Sequence, residues 1–196
     1  MRSQERASHW ERIYQQKGPD EVNCPPEISK TSLAFIRQMN LPADAAIIDI
    51  GGGDSQLVDW LLDEGYQHIT VLDISLTALD KAKARLGAEK AGKVTWLHQD
   101  IINFQPEQQY DLWHDRGTFH FLTEDVAVQQ YKLLTQQCVR QSMIIGTFSD
   151  KGPAKCSGLA VKQYDERTLS DLFFPAFKQR QCEREVHFTP ARVPQE

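Results

Sequence analysis

Three consecutive glycines, Gly51 to Gly53, follow the mostly apolar run "AAIIDI" and precede "SQLVDWLLDEG", which has helical spacing. Glycines at a strand-to-helix turn let a ligand lie against backbone at a helix N-terminus. Acids stand at the borders of this turn and of the runs that follow. Asp49 precedes the glycines, Asp54 succeeds them, Asp73 ends "TVLD" and Asp100 follows "WLHQ". A further stretch, "WHDRGTFHFL", carries His114, Asp115, Arg116 and His120. Two imidazoles, a carboxylate and a guanidinium are groups that bind anions, orient a reactant or move a proton.

The spacing discriminates between ligands. Gly51 and Gly53 fill the first two positions of a G-x-G-x-x-G fingerprint, but the third falls on Gln56. Asp54, at the expected helix N-cap, would repel a pyrophosphate there, which argues against a nicotinamide dinucleotide. A cofactor that is neutral or cationic at that point meets no such penalty. S-adenosylmethionine fits, because its methionine end is a zwitterion and its sulfonium is positive. Asp49 can then stand near the ammonium. Asp73, about 20 residues beyond the glycines, is placed to accept both ribose hydroxyls. Asp100 can accept from the adenine amino group, with Ile74 and Ile101 against the rings. Taken singly, Asp54 also reads as a plain N-cap and Asp100 as a turn residue.

The elements that must position these groups alternate. "AAIIDI", "HITVLDI", "KVTWLHQ", "YDLWHD" and "SMIIGTF" read as strands, and "SQLVDWLLDEG", "LTALDKAKARLG" and "EDVAVQQYKLLTQQC" as helices between them. That order predicts an α/β, doubly wound, mostly parallel sheet with helices on both faces. Ahead of it come a polar helix at about residues 8–17, a proline-bearing surface loop "GPDEVNCPPE", and the helix "SKTSLAFIRQM". "TLSDLFF" adds a helix near the end. The 196 residues suit one domain, 1–196, with the first 40 or so forming helices that can act as a lid. At 40% hydrophobic and 25% charged the composition is globular, and no run approaches a membrane span. No secretory signal is evident, so the cytoplasm is the expected compartment. Cys24, Cys138, Cys156 and Cys182 have no paired spacing, which argues against a zinc site or a disulfide framework. A net charge of −5 argues against a large nucleic-acid footprint.

"IIDIGGGDS", "VLDIS", "LHQDI" and "YDLWHDRGTFHFL", in this order, resemble the successive strand-end motifs of the class I S-adenosylmethionine-dependent methyltransferases. The resemblance runs from about Ser8 to the C-terminus. It implies a Rossmann-like, seven-stranded sheet with the cofactor over the C-terminal strand ends. It places Asp49, Gly51, Gly53, Asp73, Ile74, Asp100 and Ile101 at cofactor contacts. His114 or Asp115 would meet the methionine ammonium, and Arg116 a carboxylate of cofactor or substrate. Asp115 and His120 are the catalytic candidates, His120 as a general base. A lone histidine is also often a structural residue, and Asp115 can simply orient the loop.

The substrate is less determined. "DRGTF" is similar to the "DKGTF" stretch of protein-lysine methyltransferases, including those acting on elongation factors. "WHDRG" resembles the "WDRG" stretch of thiopurine-type small-molecule enzymes. The Asn-Pro-Pro-Tyr element and the Pro-Cys nucleophile of nucleic-acid methyltransferases are absent from the sequence. "HWERIYQQKG" resembles the N-terminal helix of small bacterial methyltransferases, where aromatics close over the cofactor. Trp10 and Tyr14, at i and i+4, share a helix face and would do so here, although packing on the core is an equal reading. In those relatives "V-S-W-Y" follows, and Cys24 and Pro25 stand in place of its two aromatics. The expected activity is methyl transfer from S-adenosylmethionine to an N, S or O nucleophile on a small molecule or a protein lysine. The alternative is a non-catalytic cofactor-binding or scaffold protein of this fold. No metal, membrane or nucleic-acid partner is expected, and the protein is read as a monomer or weak dimer. The family's last, antiparallel strand is expected to be missing, with the Gln179–Phe188 run pairing beside the fifth strand or leaving that edge open for a second copy.

Overall fold

In the computed structural model, residues 3–16, 29–188 and 194–196 are described. Five short apolar runs build the central sheet: β1 (Ala46–Ile50), β2 (His68–Asp73), β3 (Val94–His98), β4 (Tyr110–Arg116) and β5 (Val139–Gly146). Their spatial order is β3-β2-β1-β4-β5, and every pairing is parallel. All of β1 is buried, as a strand covered on both faces must be, and such strands read as continuous apolar runs rather than alternating ones.

Side chains of successive strand residues point to opposite faces, and two cores result. Ile47, Ile69, Val71, Leu112 and Ile144 meet α2 (Lys30–Met39), α3 (Leu57–Asp63) and α4 (Leu76–Ala91) through Ile36, Leu61 and Leu79. Ile48, Ile50, Leu72 and Trp113 meet α5 (Asp125–Cys138) and α6 (Glu166–Phe173) through Val128, Tyr131 and Phe173. Each fully buried isoleucine or leucine contributes about 1.5–3 kcal/mol. α1 (Ser3–Gln16) belongs to neither core and has no fully buried residue. A short antiparallel hairpin, β6 (Lys155–Cys156) with β7 (Leu159–Ala160), rises after β5.

Several boundaries differ from the sequence-based expectation. α1 begins at Ser3, five residues early. The helix after the glycines begins at Leu57 with Gln56 at its N-cap; Asp54 instead pairs with Arg85 at 2.5 Å. α4 breaks at Gly87, where a helix end is expected, and then resumes for four residues to Ala91. Gly87 has φ +74° with open space around its Cα, so the break costs a glycine little. β5 starts at Val139, not at Ser142. The Gln179–Phe188 run does not join β5. Residues 179–186 form no strand, and only β8 (His187–Phe188) pairs, antiparallel, with β9 (Pro194–Gln195). That segment is too charged to offer an apolar face: Arg184, for example, is exposed and bonded to Asp150 and Glu196. Among the described residues the main sheet has five strands. The expected loop with Cys24 and Pro25, and the stretch 189–193, lie outside the described residues.

One buried polar chain fixes β4 to α5. Trp113 Nε1 donates to the Tyr131 hydroxyl at 2.8 Å, and that hydroxyl donates to Asp115 Oδ2 at 2.7 Å. Tyr131→Phe leaves an indole N–H and a carboxylate oxygen without partners in the interior. The expected loss is about 1–3 kcal/mol, measured by urea unfolding. An unchanged midpoint would contradict the chain's structural importance.

Candidate functional site

The strand order reverses between β1 and β4, and in open α/β sheets ligands bind outside the carboxyl ends of the strands at such a point. Asp49 lies beside His114 across this junction. Asp73 closes β2, while Asp100 stands two residues beyond β3 and caps a 3-10 turn by accepting from Ile102 N–H at 3.1 Å. Gly51 folds against Thr118 and donates its N–H to the Leu72 carbonyl at 2.7 Å.

The next two glycines are required by the acids beneath them. A Cβ at position 52 would stand 2.5 Å from Asp49 Oδ2, and one at position 53 would stand 2.6 Å from Asp73 Oδ2. The backbone therefore rests directly on both carboxylates. Asp73 accepts from Ser75 N–H at 2.8 Å and from the N–H groups of Gly53 and Ile74. Burial still pushes its carboxyl up to about 7, and the nearby Asp49 charge adds to the rise. Asp49 Oδ1 bonds His114 Nδ1 at 2.7 Å, while its Oδ2 is buried without a partner. An unpaired buried carboxylate oxygen facing a glycine loop suits a cationic donor, and a methionine ammonium is one.

Beside β3, Ile74 and Asp100 line a cavity of about 460 Å³, which Ser3 and Ala7 of α1 cover and Asn103 flanks. Ile101 lies below it in the α5-side core. α1 spans the strand ends. Arg6 bonds Asp100 Oδ2 at 2.6 Å and Ser3 bonds the same oxygen at 2.5 Å. Glu11 accepts from Ser75 Oγ at 2.8 Å and from Thr77 N–H and Oγ1 at the start of α4. Burial alone would raise the Glu11 carboxyl, but hydrogen bonds from Thr77 and Ser75 hold it below its ordinary value. A carboxylate is favoured at a helix N-terminus. Trp10 meets Phe121 edge-on at 5.0 Å and Tyr14 at 6.4 Å, and His9 bonds the Ser157 carbonyl of the β6–β7 turn at 2.9 Å. Tyr14 itself is held through its carbonyl, which accepts from Lys81 Nζ at 2.7 Å.

Strand alternation divides the "HDR" triplet. His114 and Arg116 face the α2 side; Asp115 faces α5. Arg116 meets Glu185 at 3.4 Å, so the carboxylate it holds comes from this chain's own C-terminal segment. Glu185 is secured in turn by the Ser29 hydroxyl, at 3.0 and 2.9 Å. The two catalytic candidates, Asp115 and His120, stand in different surroundings. Asp115 is fully buried with both oxygens engaged: Oδ1 accepts from Thr118 and Phe119 N–H, and Oδ2 from Tyr131. Burial raises it to about 6, and its bonds to Thr118 and Phe119 N–H shape the turn after β4. His120 is buried between the Phe121 and Phe148 rings, with neither ring nitrogen partnered. Burial lowers its imidazole to about 3, which favours the neutral ring. What it can offer is a neutral hydrogen-bonding group.

Ser32, Glu11, Glu185 and Tyr131 are site-building residues that the sequence reading missed. Ser32 and Ile36 stand at i and i+4 on the buried side of a helix, so a polar residue on that face was the available signal.

The lowered His120 value has a thermodynamic sign. The unfolded chain protonates this histidine below about 6.5 and the folded chain does not, so stability falls as pH drops from about 6.5 toward 3. The slope is at most about 1.4 kcal/mol per pH unit from this group. His120→Leu should lose less stability than the parent between pH 6.5 and 4.5 in urea titrations. Parallel losses in the two proteins would reject the assignment.

Residues 48–139 match a family model described as a methyltransferase domain. The chain is 31% identical over 140 residues to a malonyl-[acyl-carrier protein] O-methyltransferase of Anoxybacillus flavithermus, covering 68% of this chain and 52% of that one. It is 23% identical over 153 residues to EEF1A lysine methyltransferase 2 of Mus musculus, covering 71% and 62%. The chain thus spans about half to three-fifths of the length of these curated relatives. The fold is shared, at a TM-score of 0.69 and 18% identity over 99% of this chain and 87% of the other, with Burkholderia thailandensis 1,6-didemethyltoxoflavin-N1-methyltransferase, solved with 1,6-didemethyltoxoflavin and S-adenosylhomocysteine. The five-stranded order, the glycine loop resting on the two acids and the match over residues 48–139 agree: the chain has the Rossmann-like methyltransferase fold, and its residues 48–139 resemble the methyltransferase-domain family.

Proposed function

We propose that the protein transfers a methyl group from S-adenosylmethionine to an N, S or O nucleophile on a small molecule or a protein lysine. The observation that carries this reading is the glycine loop seated on Asp49 and Asp73, with Asp49 Oδ2 left unpaired. When bound, the cofactor supplies an electrophilic methyl on a sulfonium. The remaining work falls to this chain. Asp73 would hold the ribose hydroxyls, and Asp100, once α1 withdraws Arg6 and Ser3 from it, the adenine amino group, with Ile74 beside the rings. Asp49 would accept from the ammonium. α1, through Trp10 and Tyr14, would act as a lid that excludes water and fixes the acceptor in line with the methyl–sulfur axis. His120 would bind the acceptor by a hydrogen bond and leave it neutral. Both acceptor classes have support, since the relatives named above include a lysine enzyme and small-molecule or carrier-bound ones. We further propose a cytoplasmic protein, monomeric or weakly dimeric.

S-adenosylhomocysteine should raise the melting temperature and NAD should not. A ligand at a hundredfold excess over its dissociation constant stabilises the native state by about 2.7 kcal/mol. Equal shifts with both ligands, or none with either, would sink the proposal. Turnover of methyl-labelled cofactor with thiols, amines and lysine peptides then separates an enzyme from a scaffold.

Asp73 gives a second, independent test. Its carboxyl, at about 7 in the free protein, must be ionised to accept two ribose hydroxyls. Binding should therefore release protons near pH 6.5, and affinity should rise as pH increases through 7. Calorimetry in buffers of different ionisation enthalpy reads this release. Asp73→Asn should abolish it and weaken binding by about 1.5–3 kcal/mol; proton release that persists in the variant would reject the ribose assignment.

A further inference from the structure

We infer that Ser32, outside the residues matched by the family model, is a positioning residue that acts through His114 to aim Asp49 at the cofactor's cationic end. The inference rests on the cofactor reading above. Three buried side chains from three elements stand in line. Ser32 Oγ of α2 is 3.0 Å from His114 Nε2, and His114 Nδ1 is 2.7 Å from Asp49 Oδ1. Their relative exposures are 4%, 4% and 3%.

Chemistry sets the direction of this line. A carboxylate only accepts, so Nδ1 carries the proton that it donates to Asp49. On a neutral ring Nε2 is then an acceptor, and the Ser32 hydroxyl donates to it. Every polar group along the line is used except Asp49 Oδ2, which lies beneath Gly52 with no partner. The line thus commits Oδ1 inward and leaves one oxygen for a donor approaching over the glycine loop. α2 is itself anchored for this task. Ser29 caps it by accepting from Ser32 N–H and donates its hydroxyl to Glu185, which Arg116 also binds. Both α2-facing residues at the end of β4, His114 and Arg116, are therefore tied to one helix N-terminus. An alanine at position 32 would strand Nε2 in the interior and free the ring to turn, and Asp49 would lose its fixed orientation.

Ser32→Ala and Ser32→Thr test this, the threonine keeping the hydroxyl. Calorimetric affinity for S-adenosylhomocysteine is one readout. The ¹⁵N resonances of the His114 ring in the ligand-free protein are the other. Ser32→Ala should bind about fivefold more weakly, the equivalent of one ordinary hydrogen bond, and should shift the Nε2 resonance toward that of an unbonded ring nitrogen. Ser32→Thr should restore both. If the alanine variant does not fold, Ser32→Cys, a weaker donor of similar size, should show the same two changes in smaller measure. Parental affinity and an unmoved Nε2 resonance in folded Ser32→Ala would overturn the role of Ser32 while leaving the cofactor reading intact. Equal losses in alanine and threonine variants would reduce Ser32 to packing and overturn it as well. A parent protein that does not bind S-adenosylhomocysteine would overturn the cofactor reading and this inference together.

Discussion

Carboxylates that are buried need partners, and this requirement organises the carboxyl end of the sheet. Asp49, Asp73 and Asp115 stand on three neighbouring strands, each nearly or wholly out of contact with solvent. Each is held by a different element: Asp49 through one oxygen by the His114 ring, Asp73 by the backbone at the start of α4, and Asp115 by the turn after β4 and by α5. Unpaired, such groups would each cost several kcal/mol. The helices are thereby fixed in position by polar contacts as well as by their apolar faces. The same contacts explain why neighbouring residues of one short motif do unrelated things. His114 and Asp115 are adjacent in sequence, yet strand alternation sends them into opposite layers.

The arrangement also separates binding from shaping. The carboxylate with a spare oxygen is the one under the glycine loop, whereas the fully bonded Asp115 holds the turn after β4. Asp73 lies between these extremes. Three backbone N–H groups hold it, but burial pushes its carboxyl up to about 7. Such a group binds best when the ligand supplies the hydrogen bonds that water no longer can.

Much of this was legible in the chain itself. β1 and β2 end at or within a residue of an acid, so Asp49 and Asp73 could be placed from composition and spacing, and the alternation of runs was enough for the layered sheet. The glycines were read as making room for a ligand; they also make room for the protein's own carboxylates, which only three-dimensional register reveals. Asp54 was misjudged as an N-cap because nothing in the local pattern shows that Arg85 lies opposite, and the bond from Tyr131 to Asp115 was equally out of view. His120 was assigned chemistry from its type, and the aromatic surroundings that lower its imidazole were hidden, one neighbour being Phe148, 28 positions away. Partners such as Ser32 with His114, or Glu11 with Thr77, join residues 82 and 66 positions apart. Hydropathy carries no information about such pairs.

The first helix has a dynamic consequence. α1 buries no residue completely, and its attachments to Asp100, Ser75, Thr77 and Ser157 are polar. Lifting it parts the partly buried Trp10 from Phe121 but leaves both sheet cores covered, so the free energy of that local opening lies below that of unfolding the sheet. Its amide protons therefore exchange with solvent through a partial, reversible opening, while those of β1 and β4 wait for the molecule to unfold as a whole. The protein has two tiers of stability, and the less stable one lies over the carboxyl ends of the strands.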